Sequence, residues 1–317
     1  MVIGIDLGGM SAKAAVLNGG ILEGKASVAT SQNDSPQVTA EKLVSLAREA
    51  AEKAGVAFED IDAIGIGSPG AIDSSTGTVV SWTNFHWADV ALSRLVSGVS
   101  KKPVFVVNDA NAAALGEAKF GAGKRFQDSI LVTLGTGVGG GIMIGGKLFE
   151  GFKSAGAEIG HTVIRQGGEL CTCGRRGCFE RYASASALIR ATKRAMEQNP
   201  DSALWKFAPT LEDVNGRTAF LARAEGDETA ETVVSDYIAA LGEGIVNFVN
   251  ILRPQAIILG GGVSHEGENL LAPLREYIRP QIYAYDYAPV EVLCAELGND
   301  AGLYGAAIFA QDKLNRR

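Results

Sequence analysis

The sequence predicts two similar α/β domains, and three observations predict them. A unit of strand, glycine turn, strand, glycine turn and strand occurs twice, about half a chain apart. Apolar strands alternate with stretches of helical periodicity through the rest of the chain. Those strands are almost continuously apolar, as in sheets covered on both faces. At 317 residues the chain is too long for one ordinary core and comfortable as two.

The first copy of the unit starts Val2-Ile3-Gly4-Ile5-Asp6 and breaks at Leu7-Gly8-Gly9. It continues in Ala14-Ala15-Val16-Leu17, turns at Asn18-Gly19-Gly20 and resumes at Ile21-Leu22-Glu23-Gly24. The second starts Ile130-Leu131-Val132-Thr133-Leu134 and breaks over Gly135-Thr136-Gly137-Val138-Gly139-Gly140-Gly141. It continues in Ile142-Met143-Ile144, turns at Gly145-Gly146 and resumes at Lys147-Leu148-Phe149. Residues 39–54 place Leu43, Leu46, Ala47, Ala50 and Ala51 at helical spacing, and Gly55 stops the helix. A short β-rich run over 61–66 ends at Gly67-Ser68-Pro69-Gly70. A strand over 104–107 stops at Asn108-Asp109, and 110–118 reads as a helix. In the second half 183–198 and 232–251 read as helices. A strand over 256–259 runs into Gly260-Gly261-Gly262, and a helix over 304–313 closes the chain.

Composition narrows the function classes. Hydrophobic residues make up 46% and charged residues 21%, ordinary for a soluble globular protein. The 40 glycines fall in tight clusters that punctuate turns. A net charge of −7 without a long basic run argues against a nucleic-acid partner. The start lacks the basic, apolar form of a secretory signal, and no apolar run is expected to reach membrane-spanning length. A cytoplasmic enzyme without membrane partner is therefore expected. Three of the four cysteines crowd between 171 and 178, which suggests a metal sooner than disulfides.

Three glycine clusters each follow a strand: Gly8-Gly9, Gly135-Thr136-Gly137 and Gly260-Gly261-Gly262. Glycine lets backbone approach a ligand closely and present consecutive N–H groups to an anion. None of the clusters fits the dinucleotide fingerprint or the GxxxxGK[ST] phosphate loop. One alone is more commonly a hairpin turn; three, spread over both halves, point to a nucleotide held between domains. Asp6 suits Mg²⁺ beside the phosphates, directly or through water, or else caps a turn.

Cys171, Cys173 and Cys178 offer three thiolates within eight residues, and His161 is the only histidine nearby. That set matches a closed, structural Cys₃His zinc site; three free thiols on a loop are the alternative. Glu158 precedes His161 by three residues and shares its face on a helical turn. Glu180 follows the last cysteine. Asp109 lies just past an apolar strand, where open α/β sheets place their ligands. A carboxylate there suits a base that relieves a hydroxyl of its proton for phosphoryl transfer. On the residues alone, Asn108-Asp109 serves equally as a helix cap.

Five segments together resemble the ROK family, which comprises sugar kinases, open reading frames and repressors of the actin-like ATPase superfamily. They are Asp6-Leu7-Gly8-Gly9, Asn108-Asp109, the glycine run from Leu134 to Gly141, Gly156-Ala157-Glu158-Ile159-Gly160-His161, and Cys171-Thr172-Cys173-Gly174-Arg175-Arg176-Gly177-Cys178-Phe179-Glu180. The similarity is greatest to the bacterial glucokinase branch. It implies a two-domain actin-like ATPase (ribonuclease H-like) fold with an interdomain active-site cleft. Residues 1–117 plus 301–317 would form the smaller domain and 118–300 the larger one with the zinc loop. The helix from Tyr304 would pack on the first domain.

The resemblance also implies roles. Asp109 is the catalytic base, and Gly70, Asn84, Asn108, Asp109, Glu158, His161 and Glu180 bind the sugar. Asp6, Gly8, Gly9, Ser11, Lys13, Gly135, Thr136, Gly137, Gly260, Gly261 and Gly262 bind the nucleotide. His161, Cys171, Cys173 and Cys178 hold structural Zn²⁺, which leaves the second His161 ring nitrogen for a sugar hydroxyl. The implied reaction moves the γ-phosphoryl group of ATP, with Mg²⁺, to the 6-hydroxyl of glucose. N-acetylglucosamine, N-acetylmannosamine and mannose are alternative hexoses, polyphosphate is an alternative donor, and a homodimer or homotetramer is implied.

One departure stands out: Met10, then Ser11, occupy the place where relatives usually carry threonine, while Lys13 is retained. Repressors of the family carry a helix-turn-helix module ahead of the kinase-like part. A first strand beginning at Val2 is expected to leave no room for one. A non-sugar kinase of the superfamily would have no use for Glu158, His161 and Glu180 together. His86 and His265 are read as incidental, Trp82 and Trp87 as packing, and Cys294 as a small buried hydrophobe.

Overall fold

The structure is a computed structural model and describes residues 1–315. Residues 316 and 317, the end of the expected first domain, lie outside the described residues.

The first half of the chain lays down β1 (Val2–Leu7), β2 (Ser11–Asn18), β3 (Ile21–Ala29), α1 (Pro36–Lys53), β4 (Ala63–Ser68), β5 (Ala71–Asp73), β6 (Thr78–Trp82), β7 (Trp87–Val90), α2 (Leu92–Ser100), β8 (Val104–Asn108) and α3 (Asp109–Phe120). Five of these strands form a sheet in the order β3-β2-β1-β4-β8. The hairpins pair β1, β2 and β3 antiparallel, while β1, β4 and β8 run parallel. Ile3, Ile5, Ile64 and Ile66 are fully buried, as the unbroken apolar runs require. In α1 the Ser35 hydroxyl accepts the Val38 N–H and Pro36 starts the first turn. Leu43, Leu46, Ala47 and Ala50 form its buried stripe.

The second half follows with β9 (Ser129–Leu134), β10 (Val138–Ile144), β11 (Lys147–Phe149), α4 (Glu180–Ala183), α5 (Ala185–Gln198), α6 (Leu204–Phe207), α7 (Thr218–Ala224), α8 (Glu228–Leu252), β12 (Ala256–Gly260), α9 (Glu268–Ile278), β13 (Glu291–Cys294) and α10 (Ala301–Leu314). Its sheet order is β11-β10-β9-β12-β13. Taken in chain order, the strands of both sheets run third, second, first, fourth, fifth, so the sequence repeat is a repeat of topology.

The second glycine turn is shorter than expected. It occupies only 135–137, and Gly139, Gly140 and Gly141 lie inside β10. Close packing explains Gly141, where a Cβ would stand 2.3 Å from the Ala114 Cβ of α3. The same device seats α10: a Cβ on Gly4 of β1 would stand 2.0 Å from the Leu303 carbonyl oxygen. The last helix thus packs against β1, β4 and α3. A third sheet, β5-β6-β7, was not expected from the sequence. Trp82 stacks on Phe85 at 3.9 Å and meets Trp87 edge-on at 5.4 Å, so both tryptophans are packing residues.

By compactness the chain separates into two units. Among the described residues, one comprises 1–131, 141–157 and 296–315; the other comprises 132–140 and 158–295. Residues 118–131, 141–157 and 296–300 therefore cluster with the first unit rather than the second. Glu117 supplies one physical reason. Fully buried, its carboxylate accepts the N–H groups of Ala122, Glu296 and Leu297. Met143 supplies another, sharing an apolar cluster with Ala112, Leu115 and Ile308.

One expectation is corrected. The helix α8 is long and apolar enough, by length and composition, to cross a membrane. Its most apolar stretch is 67% buried within the protein, which is how a core helix passes the same test.

Candidate active site

In the first unit the site residues gather at the carboxyl ends of β1, β4 and β8. After β1 the chain turns tightly: the Gly8 N–H donates to the Ser11 carbonyl at 2.9 Å, and Gly9, Met10 and Ser11 are exposed. Asn84, also exposed, has its amide nitrogen 3.9 Å from where a Cβ on Gly9 would be. Lys13 stands opposite Asp6 in the β1–β2 register. Asp6 is raised to about 6, by burial first, then by the charge of Asp109, with Lys13 opposing. Gly302, in the first turn of α10, lies against the same carboxyl group. Two acids crowding this way with a single lysine beside them is an arrangement that a divalent cation relieves.

Asn108 is the N-cap of α3, and its side-chain oxygen accepts the Ala110 and Asn111 N–H groups at 3.0 and 3.2 Å. Its amide group donates to the Gly70 carbonyl at 3.2 Å. The cap reading therefore belongs to Asn108, which keeps one amide hydrogen for another partner. Gly70 is held at φ +93°, where a Cβ would stand 2.2 Å from the Ser81 carbonyl oxygen, so only glycine fits. Asp109 occupies the first position of α3, with Oδ1 accepting the Ala110 N–H at 2.8 Å. Burial pushes its carboxyl above the ordinary range; the N–H groups of Ala110 and Asp109 and the Asn108 side chain pull the other way.

In the second unit, the turn after β9 is braced by Glu180. The Glu180 carboxylate accepts the Val138 N–H at 3.1 Å, and a Cβ on Gly137 would stand 2.2 Å from the same oxygen. The Ala185 N–H donates to the Gly135 carbonyl at 2.9 Å, and Thr136 is exposed. Gly261, at φ +86°, sits with its Cβ position 2.5 Å from the Leu134 carbonyl oxygen, so the turn after β12 rests on the end of β9. Glu158 is exposed and opens a single 3₁₀ turn, Ile159–His161, closed by the His161 N–H on the Glu158 carbonyl at 3.1 Å. Just before it, Lys153, Ser154 and Ala157 hold positive φ, a backbone strain of the kind found near binding sites.

The four expected zinc ligands converge. The ligand atoms of His161, Cys171, Cys173 and Cys178 all lie within 4.8 Å of one another. Cys171 Sγ is 3.7 Å from His161 Nδ1, and Cys173 Sγ is 3.6 Å from Cys178 Sγ. Tetrahedral zinc with Zn–S of about 2.3 Å separates its sulfurs by about 3.8 Å, so the cluster fits that ion. Burial, then the Cys173 and Cys171 thiols, push Cys178 up to about 12, a crowding that a cation relieves. Cys294, expected buried, is half-buried, and its thiol donates to the Ser264 carbonyl.

The ROK family model matches residues 2–313. The chain belongs to the ROK family. The glucokinase of Streptomyces coelicolor is 36% identical over 316 residues, 98% of each chain. Among solved structures, a ROK family glucokinase from Streptomyces griseus in complex with glucose and AMPPNP superposes with a TM-score of 0.83. It is 37% identical, and the match covers 98% of this chain and 99% of that one. A ROK hexokinase from Thermus thermophilus gives 0.83 at 34% identity, over 100% and 99%. The two five-stranded sheets of one order are the actin-like ATPase fold of this ROK protein.

The acids, glycine turns and zinc ligands of this site are named in the sequence reading; Gly302 beside Asp6 is not, nor are two couplings, Asp6 with Asp109 and Glu180 with the Gly137 turn. Only the nearness of Glu180 to Cys178 in the chain hinted at the second.

Proposed function

We propose that this chain is an ATP-dependent glucokinase, moving the γ-phosphoryl group of ATP to the 6-hydroxyl of glucose with Asp109 as the base. The observation that carries the reading is the setting of Asp109. It sits at the start of α3 past the end of β8, one oxygen anchored by the Ala110 N–H, its proton affinity raised by burial. A carboxylate so placed is a better base than one in water and keeps its other oxygen for the substrate. Phosphoryl transfer asks little more of the protein than orientation and charge stabilisation.

Glu158, His161, Glu180, Asn108, Asn84 and the Gly70 backbone orient the hexose. The donors are the single free amide hydrogen of Asn108 and His161 Nε2, with Nδ1 turned to the cysteines. The turns at 8–9, 135–137 and 260–262 offer N–H groups to the phosphates, with Lys13 and Ser11 beside the first. Mg²⁺ would be held near Asp6, where it neutralises charge on the transferring phosphate. Zn²⁺ on the Cys₃His cluster would fix the His161 ring and the loop leading to Glu180. The cytoplasm and a homo-oligomeric state remain part of this reading by similarity to the family.

A coupled ADP-release assay over glucose, mannose, N-acetylglucosamine and N-acetylmannosamine, with ATP or polyphosphate as donor, tests it. Glucose with ATP is expected to give the highest kcat/KM, and Asp109→Asn to lower kcat by about 10²–10⁴-fold. Turnover within a few-fold of the wild type in that variant would remove Asp109 from the role. Sugar binding without turnover of any hexose would favour a regulatory ROK protein.

A further inference from the structure

The second unit carries a group of arginines that the kinase reading does not use. Arg181 of α4, with Arg190 and Arg194 of α5, converge on one carboxylate. Their nearest nitrogens lie 3.2, 3.9 and 3.1 Å from Glu169. Arg190 and Arg194 are four residues apart and share a helix face. A fourth, Arg165, lies over the Tyr182 ring at 4.6 Å, and the Tyr182 hydroxyl accepts the Glu169 N–H at 2.7 Å. The carboxylate and the guanidinium groups are thus fixed by the same short segment.

One carboxylate cannot satisfy three guanidinium groups, each with five N–H donors. Arg190 also donates to the Arg181 carbonyl at 2.9 Å, yet the Nε atoms of Arg181 and Arg190 stay buried without a hydrogen-bond partner. Burial, then the neighbouring Arg181, lower the proton affinity of Arg190, with the Glu169 and Glu180 carboxylates opposing. A cavity of about 320 Å³ opens beside the group. Arg165, Arg181, Arg194 and Glu169 line it, with Asp236 of α8 as the other acid. Three arginines against two carboxylates leave the lining positive, and Arg190, 3.9 Å from Glu169, adds to that charge without lining the space.

We propose that this cavity binds a phosphoryl group, carried either by inorganic phosphate or by a hexose 6-phosphate. Guanidinium forks match the oxygens of phosphate in pairs, and a doubly charged anion in the cavity offers acceptors to Arg165, Arg181 and Arg194, which line it. The volume admits either source. The cavity is lined by none of the four zinc ligands and by none of the glycine-turn residues, and the proposal stands whether or not the chain phosphorylates glucose.

Titration calorimetry of the full chain with inorganic phosphate, and separately with glucose 6-phosphate, tests the proposal. Saturable binding is expected for at least one of them. It should weaken by about tenfold or more in both Arg194→Ala and Arg165→Ala, in line with loss of a charge-assisted hydrogen bond. Arg194→Lys should recover part of the loss, and melting curves will show that each variant is folded. Tighter binding of glucose 6-phosphate, with the same arginine dependence, would identify the ester as the ligand; equal binding would identify the free anion. No saturable heat with either ligand up to about 10 mM overturns the proposal. So does binding that both alanine variants leave unchanged, since the phosphate would then sit elsewhere.

Discussion

The Glu180 carboxylate accepts the Val138 N–H at 3.1 Å, so the residue that ends the cysteine loop also braces the glycine turn after β9. A Cβ on Gly137 would meet that carboxylate, the mobile end of a side chain, while a Cβ on Gly261 would meet the Leu134 backbone. Gly137→Ala is therefore expected to displace Glu180 with little change in stability, and to raise the KM for sugar by about tenfold. Gly261→Ala combines a positive φ with a backbone clash and should lower stability by about 1–3 kcal/mol. Melting temperatures and initial-rate kinetics on the two variants separate these outcomes. An unchanged sugar KM in Gly137→Ala would show that Glu180 does not hold sugar.

Asp6 titrates at about 6 against an ordinary value near 3.8, because it is buried and faces Asp109. Its folded-state pKa is raised, so its contribution to stability is greatest below the ordinary value and falls as pH rises toward 6. Above that, the buried charge is a liability. Without magnesium, Asp6→Asn is expected to melt higher than the wild type at pH 7.5, with the difference vanishing below about pH 4. Activity should move oppositely: Asp6→Asn loses turnover, and wild-type kcat/KM, which reports the free enzyme, falls with one proton as pH drops through about 6. Persistence of the same acid limb in active Asp6→Asn would assign that limb to another group.

Most of the site was legible because its parts are local. The cysteines, His161 and Glu158 lie within one short stretch, and a Cys₃His set has few other uses. The first strand, its turn and Asp6 follow from apolar continuity broken by glycine. What stayed hidden depends on distant packing. Nothing in the sequence separates a glycine that turns the chain from one that admits a helix, so Gly139, Gly140 and Gly141 carry the same signal as Gly135 and Gly137. The sheet β5-β6-β7 is built from strands of three to five residues, too short for a periodic signal. Asn108 and Asp109 both suit a cap and both accept the Ala110 N–H, and only the hydrogen bond from Asn111 assigns the cap to Asn108.

Met10 is 87% exposed on the turn after β1, at the place where resemblance to the family implies a threonine. Met10→Thr restores a hydroxyl at a position expected to face phosphate. The KM for ATP should fall by about tenfold, the worth of one hydrogen bond to a charged group, with sugar KM unchanged. Stability should stay within about 0.5 kcal/mol, since the side chain touches little. An unchanged ATP KM would mean that Ser11 already serves, or that this turn does not contact the donor.

The cysteine cluster makes a sharper prediction, because its ligands differ in exposure. Cys171 and Cys178 are buried and Cys173 is exposed. The purified chain is expected to hold about one equivalent of zinc after dialysis, as a closed four-ligand site does. Cys173→Ala removes the exposed ligand without opening a cavity, so a loss of stability in that variant reports the metal and not packing. It should lose the zinc, melt lower, and show a rise in KM for sugar larger than that for ATP. The reason is geometric: His161 loses the partner that fixes its ring, and Glu180, two residues past Cys178, loses its anchor. Emission spectrometry for zinc, melting curves and paired KM measurements on wild type and Cys173→Ala check each part. A wild-type chain that folds and turns over without metal would reduce the cluster to three free thiols.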